Sequence, residues 1–297
     1  MTTETSASSL LCRQLFDRDS FTYTYLLVDT ATHEGALIDP VLEQFERDLQ
    51  YVEELGIELL YVCETHAHAD HITSAGLLRQ KTGAKIVFSK DAGIEAIDFA
   101  LDDGDALQLG NYTIKALATP GHTSGCMSYH VDDKVFTGDT LLIRGCGRTD
   151  FQQGDSQQLY NNVTHKLFTL PDDTIVYPAH DYKGRTSSTI GEEKRWNPRL
   201  GGGRSANDFI SIMDNLNLDM PANVAVGVDY NPRRYVHDDF SMSDLHNAWQ
   251  QLGGNDLIVD NRRAEEFAEG HVPGSRNIPL GTEVDHAEEL KAYGKVY

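Results

Sequence analysis

The chain has 297 residues, 40% hydrophobic and 24% charged, which is enough for about two domains and a sizeable buried core. Its 46 acidic residues against 25 basic ones leave a net charge of −21. That balance excludes nucleic acid as a partner, and it admits an anionic small ligand only where Arg or Lys gather locally. The four cysteines, Cys12, Cys63, Cys126 and Cys146, are too scattered for a disulfide framework and read as small buried hydrophobes. The opening Met-Thr-Thr-Glu-Thr-Ser lacks a basic segment followed by an apolar one, and no window of 18 apolar residues occurs. The expectation is a cytoplasmic protein with no membrane span. Association into a homo-oligomer is left open.

In chain order, residues 21–28 and 35–39 read as paired strands around a polar turn, closed by Asp39-Pro40. Residues 43–55 read as a helix ending at Gly56, and 57–63 as an apolar strand. A helix is expected from His71 to Gln80, with Ile72, Ala75, Gly76 and Leu78 on one side. Strands follow at 85–88, 106–109, 112–118, 126–131, 134–137 and 174–177, and a helix covers 156–168.

Between strand 57–63 and that helix lies Thr65-His66-Ala67-His68-Ala69-Asp70-His71, four strong metal ligands within six residues. A strand-loop-helix junction is where an α/β protein places its chemistry. The same placement recurs. Strand 112–118 runs into His122, strand 134–137 into Asp139, and strand 174–177 into His180. Four strand ends that each carry a ligand can converge on one edge of a sheet sandwich.

The set His66, His68, Asp70, His71, His122, Asp139 and His180 resembles the metallo-β-lactamase superfamily, over about residues 10–230. The resemblance implies an α/β fold, the αββα sandwich, with the metal site at one edge of the packed sheets. Such a set can hold two metals. His66, His68 and His122 then bind one, Asp70, His71 and His180 the other, and Asp139 bridges. It can equally hold one metal through fewer ligands, and imidazole suits zinc and iron alike.

Two flanking stretches, Thr137-Gly138-Asp139-Thr140-Leu141-Leu142-Ile143-Arg144-Gly145-Cys146-Gly147-Arg148-Thr149-Asp150 and Tyr177-Pro178-Ala179-His180-Asp181-Tyr182-Lys183-Gly184-Arg185, resemble the persulfide dioxygenase family. That resemblance implies one Fe(II) per chain, held by His66, His122 and Asp139, with His68, Asp70, His71 and His180 around it. It also implies oxidation of glutathione persulfide by O₂ to sulfite and glutathione. This anionic substrate needs cations, and nine of the chain's 25 lie between residues 144 and 204. Arg144, Arg148, Lys183 and Arg185 follow metal-bearing strand ends and, with Tyr182, are the expected substrate contacts. Arg148 can alternatively brace Asp150.

The composition shifts at 221–255. A first domain over 1–240 is expected, then a linker over 241–255 with a short helix near 242–252. Residues 256–297 resemble the opening of a rhodanese-like domain, through Asp260-x-Arg262, Gly270-His271-x-Pro273-Gly274 and Asn277-Ile278-Pro279. No cysteine follows Cys146, so this segment lacks the rhodanese nucleophile, and a complete rhodanese domain is expected in a longer parent chain. Two other readings stay open. One is a dinuclear hydrolase of glutathione thioesters, similar to glyoxalase II. The other is a non-catalytic sulfur-relay or scaffold protein.

Overall fold

A computed structural model describes residues 9–94, 97–151 and 153–216, and short pieces of the tail at 256–257, 259–260, 268, 275–278 and 295–296. The expected linker and its helix lie outside the described residues.

Two six-stranded sheets carry the fold. The first contains β1 (Leu10–Phe16), β2 (Tyr23–Asp29), β3 (Glu34–Ile38), β4 (Glu58–Cys63), β5 (Lys85–Ser89) and β6 (Phe99–Leu101), side by side in chain order. It opens as an antiparallel meander and turns parallel from β3 onward. Parallel steps need crossovers: α1 (Phe45–Glu54) joins β3 to β4 and α2 (Ala75–Thr82) joins β4 to β5. The second sheet runs in the order β12-β11-β10-β9-β8-β7, made of β7 (Ala106–Leu109), β8 (Tyr112–Ala118), β9 (Met127–Val131), β10 (Lys134–Gly138), β11 (Ile175–Pro178) and β12 (Ser188–Thr189). Its one parallel step, β10 to β11, is bridged by α3 (Ser156–His165). Two more helices follow, α4 (Ile190–Trp196) and α5 (Ala206–Asp214).

Strand alternation sorts the side chains into layers. In β2 every residue is buried. Tyr23, Tyr25 and Leu27 enter the core between the sheets, while Leu26 and Val28 face Val52 of α1 and Leu78 of α2. In β10, Phe136 joins the inter-sheet core and Val135 faces Leu159, Val163 and Phe209 of the other helical layer. The result is the expected four-layer αββα sandwich.

Several elements depart from the sequence reading. Helix α2 begins at Ala75, not at His71. Residues 72–74 bond instead to the segment after β3: Leu42 N–H donates to the Ile72 carbonyl (2.8 Å), and Ser74 N–H to the Pro40 carbonyl (3.1 Å). Strand β1 lacks alternation because it is a half-exposed edge. Helices α4 and α5 do carry start signals. Thr189 accepts the Glu192 N–H, and Ser205 and Asp208 form a reciprocal capping box. In the tail, Asp256–Leu257 pairs in parallel with Lys295–Val296, and Val259–Asp260 with Arg276–Asn277. No described helix is long and apolar enough to cross a membrane.

The carboxyl ends of β3, β4, β8, β10 and β11 meet at one edge. Thr65 just past β4 accepts the Met127 N–H of the other sheet (2.7 Å), and Ala179 past β11 donates to the Gly138 carbonyl (3.0 Å). Gly138 has φ +52, and a Cβ there would sit 2.5 Å from Thr65 Oγ1. Only glycine therefore lets the two strand ends close up. Tyr25 ties the same edge from below, its hydroxyl donating to the buried Pro178 carbonyl at 2.6 Å. Tyr25→Phe keeps the ring packing but orphans that carbonyl. It is expected to cost about 1–3 kcal/mol in urea denaturation, whereas a variant as stable as the parent would show that the bond contributes nothing net.

Candidate metal centre

His66, His122 and Asp139 arrive from three strand ends, with ligand atoms all within 4.8 Å of one another. His122 Nε2 lies 3.5 Å from Asp139 Oδ2. Two atoms each about 2.1 Å from one ion, at right angles around it, stand about 3 Å apart, so the spacing suits a shared metal.

The imidazoles are set by what holds their other nitrogen. His122 Nδ1 donates to the Arg148 carbonyl at 2.7 Å. A carbonyl can only accept, so Nε2 carries the lone pair. Arg148 gets there because Gly147 has no side chain: a Cβ at 147 would lie 2.6 Å from the Asp139 carbonyl and 2.8 Å from His122 Nδ1. His66 Nδ1 lies 3.0 Å from Thr65 Oγ1, whose own proton goes to Asp39 Oδ2 (2.8 Å). The Thr65 oxygen therefore accepts from Nδ1, and His66 too offers Nε2. This is the carboxylate-backed arrangement that sets ligand orientation and basicity in metal sites. Burial holds the His66 imidazole well below its ordinary range, helped by His68 and His122, so it stays neutral and able to ligate. Asp139 presents a buried oxygen, Oδ1, with no hydrogen-bond partner. An unsatisfied buried carboxylate oxygen is costly unless a cation meets it. The donor set and this oxygen fit a metal ion.

A second group stands beside the first. Ligand atoms of His68, Asp70 and His71 also come together, and His180 Nε2 faces both Asp70 Oδ2 (3.6 Å) and Asp139 Oδ1 (3.7 Å). His180 Nδ1 donates to the Phe21 carbonyl at 3.1 Å. Burial would raise the Asp70 carboxyl, but His71 and His180 hold it well below the usual carboxylate range.

Sequence reasoning missed the layer behind these candidate ligands. Asp39 takes the Thr65 N–H (2.7 Å) as well as its hydroxyl. Glu64 is fully buried and accepts from Thr73 Oγ1 at 2.5 Å. His68 Nε2 sits between the two carboxylates, 3.1 Å from Asp39 and 3.3 Å from Glu64. Burial pulls the His68 imidazolium down, yet the paired acids raise it well above its ordinary range. The signal for Asp39 was present: like Asp139, it directly follows an apolar strand.

The expected substrate cations are mostly engaged elsewhere. Arg144 binds Glu192, Glu193 and Ser188 and so secures α4 to the loop after Asp139. Arg148 grips Asp150 through two parallel bonds (2.7 and 2.8 Å). Arg185 bonds Asp181, which also takes the Lys183 and Arg185 N–H groups. Lys183 is exposed and enters none of the ion pairs among the described residues. Tyr182 is 67% exposed, its ring stacked on His180 with centroids 6.0 Å apart.

With this geometry in view, residues 17–180 match the family model of the metallo-beta-lactamase superfamily. The chain is 50% identical over 231 residues to the persulfide dioxygenase ETHE1, mitochondrial, of Bos taurus, covering 77% of this chain and 90% of that protein. The chain belongs to the persulfide dioxygenase family. The crystal structure of ETHE1 from Myxococcus xanthus aligns with a TM-score of 0.73 at 53% identity, over 75% of this chain and 98% of that one. A hydroxyacylglutathione hydrolase of Pelagibacter ubique is 35% identical over 169 residues, 56% of this chain and 69% of the relative. Residues 244–296 match the rhodanese-like domain, and most of that stretch lies outside the described residues.

Thr65→Val should test the support behind His66. It removes the hydroxyl between Asp39 and the imidazole, and metal affinity measured by chelator competition is expected to fall about 10–100-fold with the fold retained. Unchanged affinity would mean that the backbone alone sets this ring.

Proposed function

We propose that the chain is a persulfide dioxygenase that oxidises glutathione persulfide with O₂, using one Fe(II) held by His66, His122 and Asp139. In balanced form, glutathione persulfide, O₂ and water give glutathione, sulfite and two protons. The sulfane sulfur loses four electrons and dioxygen gains them. The observation that carries the reading is the gathering of those three side chains, with a buried Asp139 oxygen that accepts no hydrogen bond, in a chain half identical over 231 residues to a persulfide dioxygenase.

Bound ferrous iron would supply the redox chemistry between dioxygen and the terminal sulfur. The chain's own part is geometric. Two imidazoles and a carboxylate on one side match the facial arrangement that leaves positions open for substrates. Arg148 and Thr65 hold the two rings in one tautomer, while Asp70, His71 and His180 ring the mouth with polar groups able to orient water and substrate. The match to a rhodanese-like domain supports a place in sulfane-sulfur chemistry, because rhodanese-type reactions generate persulfides. The layout we propose is a dioxygenase domain over 1–240, a linker over 241–255 and a rhodanese-like segment from 256, in a cytoplasmic protein.

A second reading has its own support. The His68, Asp70 and His71 group could hold a second ion, and a glutathione-thioester hydrolase is among the relatives. Metal analysis separates the two. About one iron per chain, with O₂ uptake and sulfite release on adding glutathione persulfide to reduced protein, is the expected result. About two zinc ions with thioester hydrolysis and no uptake would replace it with the hydrolase. His122→Ala should lose iron binding and uptake together.

A further inference from the structure

The rings of His66 and His122 are set by Thr65 and by the Arg148 carbonyl. Those of His71 and His180 are set from another direction, by the turn between β1 and β2. That turn is built on one buried carboxylate. Asp17 Oδ2 accepts the Ser20 N–H at 2.8 Å and the Ser20 hydroxyl at 2.7 Å, while Oδ1 accepts the Gln44 side-chain amide at 2.7 Å. An Asp that bonds the backbone just ahead of it holds a turn in this way. Burial would raise the Asp17 carboxyl, but the Ser20 and Gln44 hydrogens hold it below its ordinary range. The backbone closes as well. Asp17 N–H donates to the Thr22 carbonyl at 2.8 Å, and Arg47 of α1 donates to the Phe16 carbonyl at 2.9 Å. Phe21 takes a left-handed conformation, φ +56, which a bulky residue adopts only where its surroundings impose it.

The far end of the turn meets the centre. Ser20 Oγ stands 2.8 Å from Thr22 Oγ1. Thr22 is fully buried, and its hydroxyl donates to Asp70 Oδ2 at 3.2 Å. His71 Nδ1 lies 2.9 Å from the same Asp70 oxygen and 3.3 Å from Thr22 Oγ1. A carboxylate only accepts, so Nδ1 carries a proton and one Asp70 oxygen gathers hydrogens from both neighbours. The Phe21 carbonyl accepts from His180 Nδ1 at 3.1 Å, so Nε2 is the nitrogen that faces Asp70 and Asp139. Thr22 also bridges to His180 through the backbone, and Tyr23 N–H donates to the Ala179 carbonyl at 2.7 Å. The turn thereby ties the first sheet to the end of β11 in the second. A valine would fill the space of Thr22 equally well, and a buried hydroxyl is costly unless it is bonded. The bonds of this one run to Asp70 and His71.

We propose that Thr22 is a positioning residue of the centre, and that the turn over 17–22, anchored by Asp17, sets how Asp70, His71 and His180 face the substrates. Thr22 acts through Asp70 and His71, not on the reacting atoms. This rests on the persulfide dioxygenase reading and adds a residue to it.

Two measurements on iron-loaded protein test the role: steady-state O₂ uptake across glutathione persulfide concentrations, and the electron paramagnetic resonance spectrum of the nitric oxide adduct of the ferrous protein. Thr22→Val keeps the side-chain shape and removes the hydroxyl. It is expected to lower kcat about 10–100-fold with KM within about twofold, to keep its iron, and to change the nitrosyl spectrum. Thr22→Ser returns the hydroxyl and is expected to bring kcat back to within about threefold of the parent, with the parental spectrum. Asp17→Asn loosens the anchor and should lower kcat in the same direction. Parental kcat and spectrum in Thr22→Val would overturn the proposal, as would a Thr22→Ser variant as impaired as Thr22→Val, since the hydroxyl would then not be what matters. If Thr22→Val does not fold, Asp17→Asn decides, and parental kcat and spectrum there would overturn the role of the turn. Should the parent consume no O₂ while Thr22→Val alters the nitrosyl spectrum and Thr22→Ser restores it, the positioning role would stand and the persulfide reading would fall.

Discussion

The Asp39–Thr65–His66 chain of hydrogen bonds is the constraint on which the rest of the centre hangs. Asp39 follows β3, Thr65 follows β4, and both are buried, so their polar atoms need protein partners, and the Asp39 carboxylate takes both the Thr65 N–H and its hydroxyl. Asp39 takes a left-handed backbone, φ +51, to reach Thr65. Once that contact forms, the His66 ring has one orientation. The Thr65 carbonyl then meets the Met127 N–H across the sandwich, and Gly138 closes over the Thr65 side chain. One buried contact thereby aligns strand ends from both sheets.

The polar groups behind the candidate ligands form a connected network. Thr73, Glu64, His68, Asp39, Thr65 and His66 follow one another by short contacts. In a low-dielectric interior such a network is stabilising only when its members are satisfied, and it then specifies one arrangement. The loop over residues 71–74, which looks helical by spacing, is given up to this purpose. Thr73 bonds Glu64 rather than joining a helix, and His71 turns to Asp70.

Cation placement follows the same economy. On a chain of charge −21, Arg144, Arg148 and Arg185 are spent on Glu193, Asp150 and Asp181, which secure the loops after Asp139 and His180. Arg148 contributes to the centre through its carbonyl, not its guanidinium.

By itself the sequence determined the layer pattern, the strand-end rule and the candidate metal-ligating residues. Each of these is local: apolar alternation, a ligand within four residues of a strand, a motif in order. Tertiary structure alone decided what each group does there. Glu64 and Asp39 became partners of His68 because the ends of β3 and β4 lie side by side, and Arg144 became a brace because α4 packs against its loop. Edge strand β1 gains its order from pairing with β2, not from its own pattern. The physical reason is common to all of them. A buried polar side chain takes its role from the partner that satisfies it, and that partner lies up to tens of residues away in the chain.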